Sequence, residues 1–217
     1  VFPHVLRRNV FFIRNEIDAG VSRGRNELVQ AAIDHGFKYI FMADDDYVFP
    51  TQDVFWKLSE QLFQKNADIV ALTRCESYFD CSRGLPANLV VDVDSRIWKF
   101  KPFALVYSPQ RPLCVQSDLV QQIFLARIEL FHSVRWDPRL KNNDHYDFLF
   151  TCKVKGFKLY TCPGLRTLHQ PSKCSDRSMN SSYMQVRHKR WRKLLPYVLD
   201  KWNIAKLVDE TGKEWSI

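Results

Sequence analysis

Apolar residues fall in short blocks along this chain, and the period inside the blocks switches between two and about 3.6. Val10-Phe11-Phe12-Ile13 is a compact apolar run and predicts a short buried strand. After a loop with Asp18-Ala19-Gly20, residues Leu28, Val29, Ala31, Ala32 and Ile33 recur at helical spacing. Ser22 is the predicted N-cap of that helix, and His35-Gly36 ends it because Gly accepts the left-handed cap conformation. Residues 38–43 form the next predicted strand, running straight into Asp44-Asp45-Asp46. Thr51 is placed to cap a helix through Lys65, with Val54, Phe55, Leu58, Leu62 and Phe63 on its apolar stripe. A strand over 68–73 follows. This strand–helix–strand rhythm predicts an α/β fold with a largely parallel sheet flanked by helices.

The middle of the chain reads differently. Residues 75–86 are a loop, and 89–93 and 96–100 flank Asp94-Ser95 as a hairpin. Residues 103–107 predict a third strand, and 114–126 are mostly β-prone. A helix is expected from near His145 to Gly156, then a strand over 157–162. Residues 163–182, rich in Ser, Pro, Arg and Lys, read as a mobile loop, and a basic, aromatic helix as running from about Tyr183 to Leu195.

Composition narrows the class. The 217 residues suffice for one domain, and 46% hydrophobic and 14% aromatic content is ample for a core. No apolar run reaches the ~18 residues of a membrane span, and no signal peptide is visible. A net charge of +8 favours anionic partners without choosing among them. The six cysteines contain no CxxC pair, which argues against a zinc ribbon. In a secreted setting they allow up to three disulfides; in a cytosolic one they are buried thiols. Asn180-Ser181-Ser182 is a glycosylation sequon, a weak pointer towards secretion.

The three aspartates carry the chemistry. Adjacent carboxylates repel, and a strand end has little structural use for them; a divalent cation removes the conflict. Oxygen ligands select Mg²⁺, Mn²⁺ or Ca²⁺. Strand alternation places Asp44 and Asp46 on one face and Asp45 on the other. Ligands of open α/β sheets bind beyond the carboxyl ends of strands, and the open positions of a metal there suit phosphate oxygens, so a nucleotide with a diphosphate is the simplest substrate. The chain has neither GxxxxGK[ST] nor GxGxxG, which removes P-loop nucleotidases and dinucleotide cofactors. Gly20-Val21-Ser22-Arg23-Gly24-Arg25-Asn26 opens the preceding helix, whose amides and arginines could face an anion. Arg25 and Asn26 are then candidates to orient the nucleotide or the aspartate loop.

The segment 20–26, followed by Tyr39-Ile40-Phe41-Met42-Ala43-Asp44-Asp45-Asp46, resembles the "ARN … DxD" core of GT-A fold glycosyltransferases. Val134-Arg135-Trp136-Asp137-Pro138-Arg139-Leu140 and Asp144-His145-Tyr146-Asp147-Phe148-Leu149-Phe150 resemble the "F-D-x-x-L … H-x-[DE]-F-F" segment of inverting enzymes, most of all the ganglioside-type β-1,4-N-acetylgalactosaminyltransferases. Leu168-His169-Gln170-Pro171-Ser172-Lys173 and the run 185–191 look like that group's C-terminal stretches, so the likeness covers residues 10–193. It implies a GT-A, Rossmann-like, mixed and mostly parallel sheet in a single domain. Residues 1–75 would form its nucleotide and metal half, 76–195 its acceptor half and 196–217 a tail. Only about nine residues precede Val10, so the usual opening β-α-β unit is missing or shortened, and the residues that hold the base are not named.

What the resemblance implies for the site is a metal-dependent, inverting transfer of a hexose or N-acetylhexosamine from a nucleotide sugar, UDP-linked, to a glycan hydroxyl. Asp46 and Asp44 would serve Mn²⁺ or Mg²⁺ with Asp45 in support, Asp44 also reaching the ribose or the helix-side arginine, and His169 would be the late metal ligand. Asp147 would be the general base that takes the acceptor proton, with Asp144 as the helix cap that leaves it free. Trp136, Asp144, His145 and Tyr146 would meet the acceptor, and Arg187 and Lys189 would neutralise the diphosphate as the 163–182 loop closes. The group implies a Golgi lumen behind an anchor outside this chain; a viral or bacterial origin fits too. Two other classes compete: a basic nucleic-acid-binding domain, which leaves the aspartates unexplained, and a catalytically degenerate binding module of the same fold.

Overall fold

The computed structural model describes residues 13–16, 19–50, 53–77, 80–81, 86–103, 113–141, 144–170, 177–209 and 211–216. The expected strand over Val10–Ile13, the cap at Thr51 and the strand over 103–107 fall largely or wholly outside them.

Helix α1 (Val21–Asp34) leads into strand β1 (Tyr39–Met42). A turn carrying the aspartates joins it to β2 (Tyr47–Val48), then α2 (Val54–Gln64) and β3 (Ile69–Cys75). The hairpin β4 (Ala87–Asp92) and β5 (Ile97–Pro102) is followed by β6 (Val115–Gln116) and β7 (Phe124–Arg127). Helix α3 (His145–Val154), strand β8 (Leu159–His169), helix α4 (Arg177–Lys201) and strands β9 (Lys206–Val208) and β10 (Glu214–Ser216) complete the order.

One sheet runs β1-β7-β3-β8-β2, with β6 also on β8; the other runs β10-β9-β5-β4. The rhythm of the sequence correctly gives β1, β3 and β8 one common direction. Periodicity carries no information on strand direction, however, and β7 inserts antiparallel between β1 and β3. Within this sheet, the β3–β8 ladder is the parallel pairing among the described residues. The fold is therefore mixed α/β, as expected, with fewer parallel ladders than the rhythm suggested.

Strand alternation sorts the core into two sides. Ile69 and Ala71 of β3, Met42 of β1 and Phe124 and Ala126 of β7 face α1, α3 and the second sheet. Val70 and Leu72, with Phe41, Leu125 and Cys162, face Val54, Leu58 and Leu62 of α2. The first core reaches Trp98 and Phe100, and takes in Val198, Leu199, Ile204 and Leu207 from the stretch expected to be a tail. The end of α4 and β9 close the second sheet through parallel pairing of β9 with β5.

The expected mobile loop after 162 is also corrected. Strand β8 continues to His169, absorbing Pro163, Gly164 and Leu165 in a register shift opposite Leu72 and Thr73. Pro is tolerated at such an irregularity because the ladder already skips a bond there. Cys75 is bonded to Cys81 and Cys114 to Cys162, and Cys152 is a buried free thiol.

Candidate active site

The aspartates lie in the turn after β1, so strand alternation does not set their directions. Strand β2 pairs antiparallel with the end of β8 and places His169 opposite Tyr47. That register brings His169 Nε2 to 3.0 Å from Asp46 Oδ2. The Gln170 amide donates to the Asp46 carbonyl at 2.7 Å, which fixes the turn against the strand end. On the other ring nitrogen, His169 Nδ1 lies 3.0 Å from Glu76 Oε2. Arg74 pairs with the second oxygen of Glu76. Burial pushes the Tyr47 phenol up to about 12, with Arg74 opposing the rise and Asp44 and Asp46 adding to it.

Asp44 turns the other way. Arg25 reaches Asp44 Oδ1 at 3.4 Å with Nη2 and Asp144 Oδ2 at 3.2 Å with Nη1. The guanidinium is nearly buried and already spans two carboxylates, so it positions Asp44 and is not a free clamp for a diphosphate. Asp45 is exposed. The structure thus brings Asp46 and His169 together, while Asp44 sits on Arg25. Among the described residues no group of three or more His, Cys, Asp or Glu side chains is assembled for a metal.

Several expected roles are corrected by the packing. Gly20, not Ser22, caps α1, at φ 88°. The amides of Val21 and Ser22 both donate to the Lys141 carbonyl, at 2.7 and 3.4 Å, so these first-turn donors do not face an anion. Ser22 is fully buried and its hydroxyl donates to Asp144 Oδ2 at 3.1 Å. Asn26 spends both ends of its amide on the Trp136 backbone, at 2.8 and 3.1 Å; it clips that segment to α1 and is not left for a nucleotide. Trp136 is buried and stacks on Phe148 with centroids 4.4 Å apart, so it is core and not an acceptor platform. Tyr146 packs on Phe100 and Phe150. His145 meets Gln122; burial, with Arg25 adding, pushes its imidazole down to about 3 and keeps it neutral. Lys189 is exposed on α4; the side chain of Arg187 lies outside the described residues.

Both Asp144 and Asp147 are buried and held by side chains of other elements. Asp144 occupies the N-cap position of α3 but makes no capping bond with its side chain. Burial raises its pKa, Arg25 and Ser22 opposing the rise. Asp147 is only 1% exposed, and its Oδ1 receives Lys201 Nζ at 2.7 Å and Trp202 Nε1 at 2.8 Å. A carboxylate so held is a tie between α3 and α4. Sequence reasoning missed Glu76, Lys201 and Trp202; only the place of a carboxylate one residue past the end of β3 marks the first.

Comparison with known proteins adds the fold alone. No family model matches the chain, and no curated protein matches it in sequence. Among solved structures, a crystal structure of GalNAc-T7 with UDP, GalNAc and Mn²⁺ superposes with a TM-score of 0.53 at 17% identity, covering 73% of this chain. The match spans 32% of that protein, about a third of its length. The architecture is that of a GT-A-type glycosyltransferase fold, with mixed sheet and flanking helices.

Proposed function

We propose that this chain is the catalytic part of a metal-dependent glycosyltransferase that uses a nucleotide-sugar donor. The observation that carries the reading is the meeting of Asp46 and His169 at the strand ends of this fold. Asp46 Oδ1 is buried there with no hydrogen-bond partner among the described residues. A buried carboxylate oxygen left unmet is costly, and a cation satisfies it. The donor set of carboxylate and imidazole fits Mn²⁺, with Mg²⁺ the harder alternative.

Asp46 and His169 would hold the ion, Asp44 being presented by Arg25 beside them. When bound, the ion stabilises charge developing on a diphosphate leaving group. The neighbour's UDP and Mn²⁺ support a UDP-linked donor, and its GalNAc supports a HexNAc sugar. The acceptor would be a hydroxyl of a glycan on a lipid or protein. Of the two carboxylates expected near the acceptor, Asp144 is the better base for inverting transfer. It shares the Arg25 guanidinium with Asp44, and burial raises its proton affinity, which suits a base. Asp147 is already engaged by α4. Two disulfides favour an oxidising compartment such as the Golgi lumen.

A thermal-shift screen of nucleotide sugars with and without Mn²⁺ tests the reading. A donor should raise the midpoint only with the metal present, and Asp46→Ala should abolish the rise. A protein indifferent to every donor and metal combination contradicts it. Asp144→Asn should then stop transfer while donor binding persists; normal turnover in that variant would remove Asp144 from the role.

A further inference from the structure

We infer that Glu76 is a positioning residue that makes His169 a metal ligand. It accepts the Nδ1 proton and so turns the Nε2 lone pair towards the place where a cation meets Asp46. The inference rests on the transferase reading above and deepens it.

A neutral imidazole carries one proton, and the partner of one nitrogen decides what the other can do. Around His169 Nδ1 lie two side chains, Glu76 Oε2 at 3.0 Å and Arg74 Nη2 at 3.0 Å. Arginine has no acceptor, so the Nδ1 proton can go only to the carboxylate of that pair. Arg74 also holds the far oxygen of Glu76 and keeps the carboxylate aligned. In the absence of metal, His169 Nε2 and Asp46 Oδ2 share a hydrogen bond across 3.0 Å; a cation there takes the place of its proton, leaving the ring proton on Nδ1 and the Nε2 lone pair for the metal. Such outer carboxylates fix the ring orientation of metal-bound histidines and raise their basicity.

The backbone explains why Glu76 is where it is. Cys75 pairs with Leu168 at the end of the β3–β8 ladder, so the next residue on each strand is Glu76 on one and His169 on the other. The Cys75–Cys81 disulfide closes the short loop that follows, and the Glu76 amide donates to the Asp80 carbonyl at 2.8 Å. The carboxylate is thus mounted on a tied loop.

Mn²⁺ binding in the presence of UDP, read from the paramagnetic resonance of free Mn²⁺, provides the test. It compares wild type, Glu76→Gln, Glu76→Ala, His169→Ala and the Glu76→Ala/His169→Ala double variant, with metal-free thermal midpoints as the fold control. Glu76→Ala should weaken Mn²⁺ binding about 10–100-fold. Glu76→Gln, which keeps an oxygen towards Nδ1, should weaken it less; it carries the test should the alanine variant fail to fold. In the His169→Ala background the Glu76 change should add nothing. Unaltered Mn²⁺ affinity in both Glu76 variants, with His169→Ala impaired, overturns the inference and leaves the transferase reading standing. A Glu76 effect undiminished without His169 overturns it as well. A wild-type protein that binds no Mn²⁺ with UDP overturns the reading and the inference together.

Discussion

Two carboxylate clusters of this molecule behave oppositely. Around Asp137 and Asp147 the fold supplies every partner. Asp137 takes Arg139, Tyr197 at 2.8 Å and Lys201 at 3.2 Å, and Lys201 continues to Asp147. At the β1–β2 turn the fold supplies less. Asp46 has one oxygen on His169 and one buried without a partner among the described residues, and Asp44 is half exposed on Arg25. The same residue types serve two ends. A cluster whose acceptors are matched by cations of the chain holds elements together, while one left short of positive charge is ready for a ligand.

The contrast is broken most directly by exchanging the effects. Asp46→Asn should remove metal-dependent donor binding and transfer altogether. Its cost to the metal-free stability should be about 0.5 kcal/mol, because the carboxylate's partner is the part-exposed His169 and an asparagine keeps an oxygen for it. Denaturant unfolding beside a metal titration separates the two; a large loss of stability would place Asp46 with the structural cluster. The converse is expected at the buried end. Asp147→Ala leaves Trp202 Nε1 without its acceptor and Lys201 with Asp137 alone, and should cost about 1–3 kcal/mol in denaturant unfolding. A stable but inactive Asp147→Ala would restore the catalytic role expected from sequence.

Smaller effects sharpen the picture. A Cβ at Gly20 would sit 2.8 Å from the Lys141 Cα, on a backbone at φ 88°. Gly20→Ala should therefore cost about 1–3 kcal/mol and shift the first turn of α1, whose Ser22 and Arg25 hold Asp144, seen as a lower turnover number at nearly unchanged donor affinity. Least in size is a pH effect. Hydrogen bonds from Arg139, first, and then Tyr197 and Lys201 hold the Asp137 carboxyl well below the ordinary aspartate range, burial opposing them. Its stabilisation is fully present above the unfolded value near 3.8 and is lost as pH falls through the depressed folded value. The stability gap between wild type and Asp137→Asn should then narrow from about pH 4 to about pH 2. A gap constant over that range would mean that Asp137 acts through shape and not charge.

Local pattern made much of this molecule legible. The helix before the aspartates, β1, α2, β3, the β4–β5 hairpin and α3 follow from residues a few positions apart, where side-chain period decides. What escaped depends on distant partners. The direction of β7 is set by the strands on either side of it, and β8 runs past Pro163 because β3 and β2 offer it ladders. Trp136 and Asn26 carry the right chemistry for a site, yet packing against Phe148 and clipping to α1 consume them. Lys201 and Trp202 lie more than fifty residues beyond Asp147, and no spacing rule joins them. The Pro- and Ser-rich pattern places His169 in a loop, yet it stands at the end of β8, which gives it a fixed approach to Asp46.

The central claim is that the turn after β1 and the end of β8 form one cation site. Crystals grown with Mn²⁺ and UDP, with anomalous data recorded for manganese, address it directly. The account predicts one strong peak at bonding distance from a carboxylate oxygen of Asp46 and Nε2 of His169, with the diphosphate on its open side. A peak elsewhere, with His169 still hydrogen-bonded to Asp46, contradicts it.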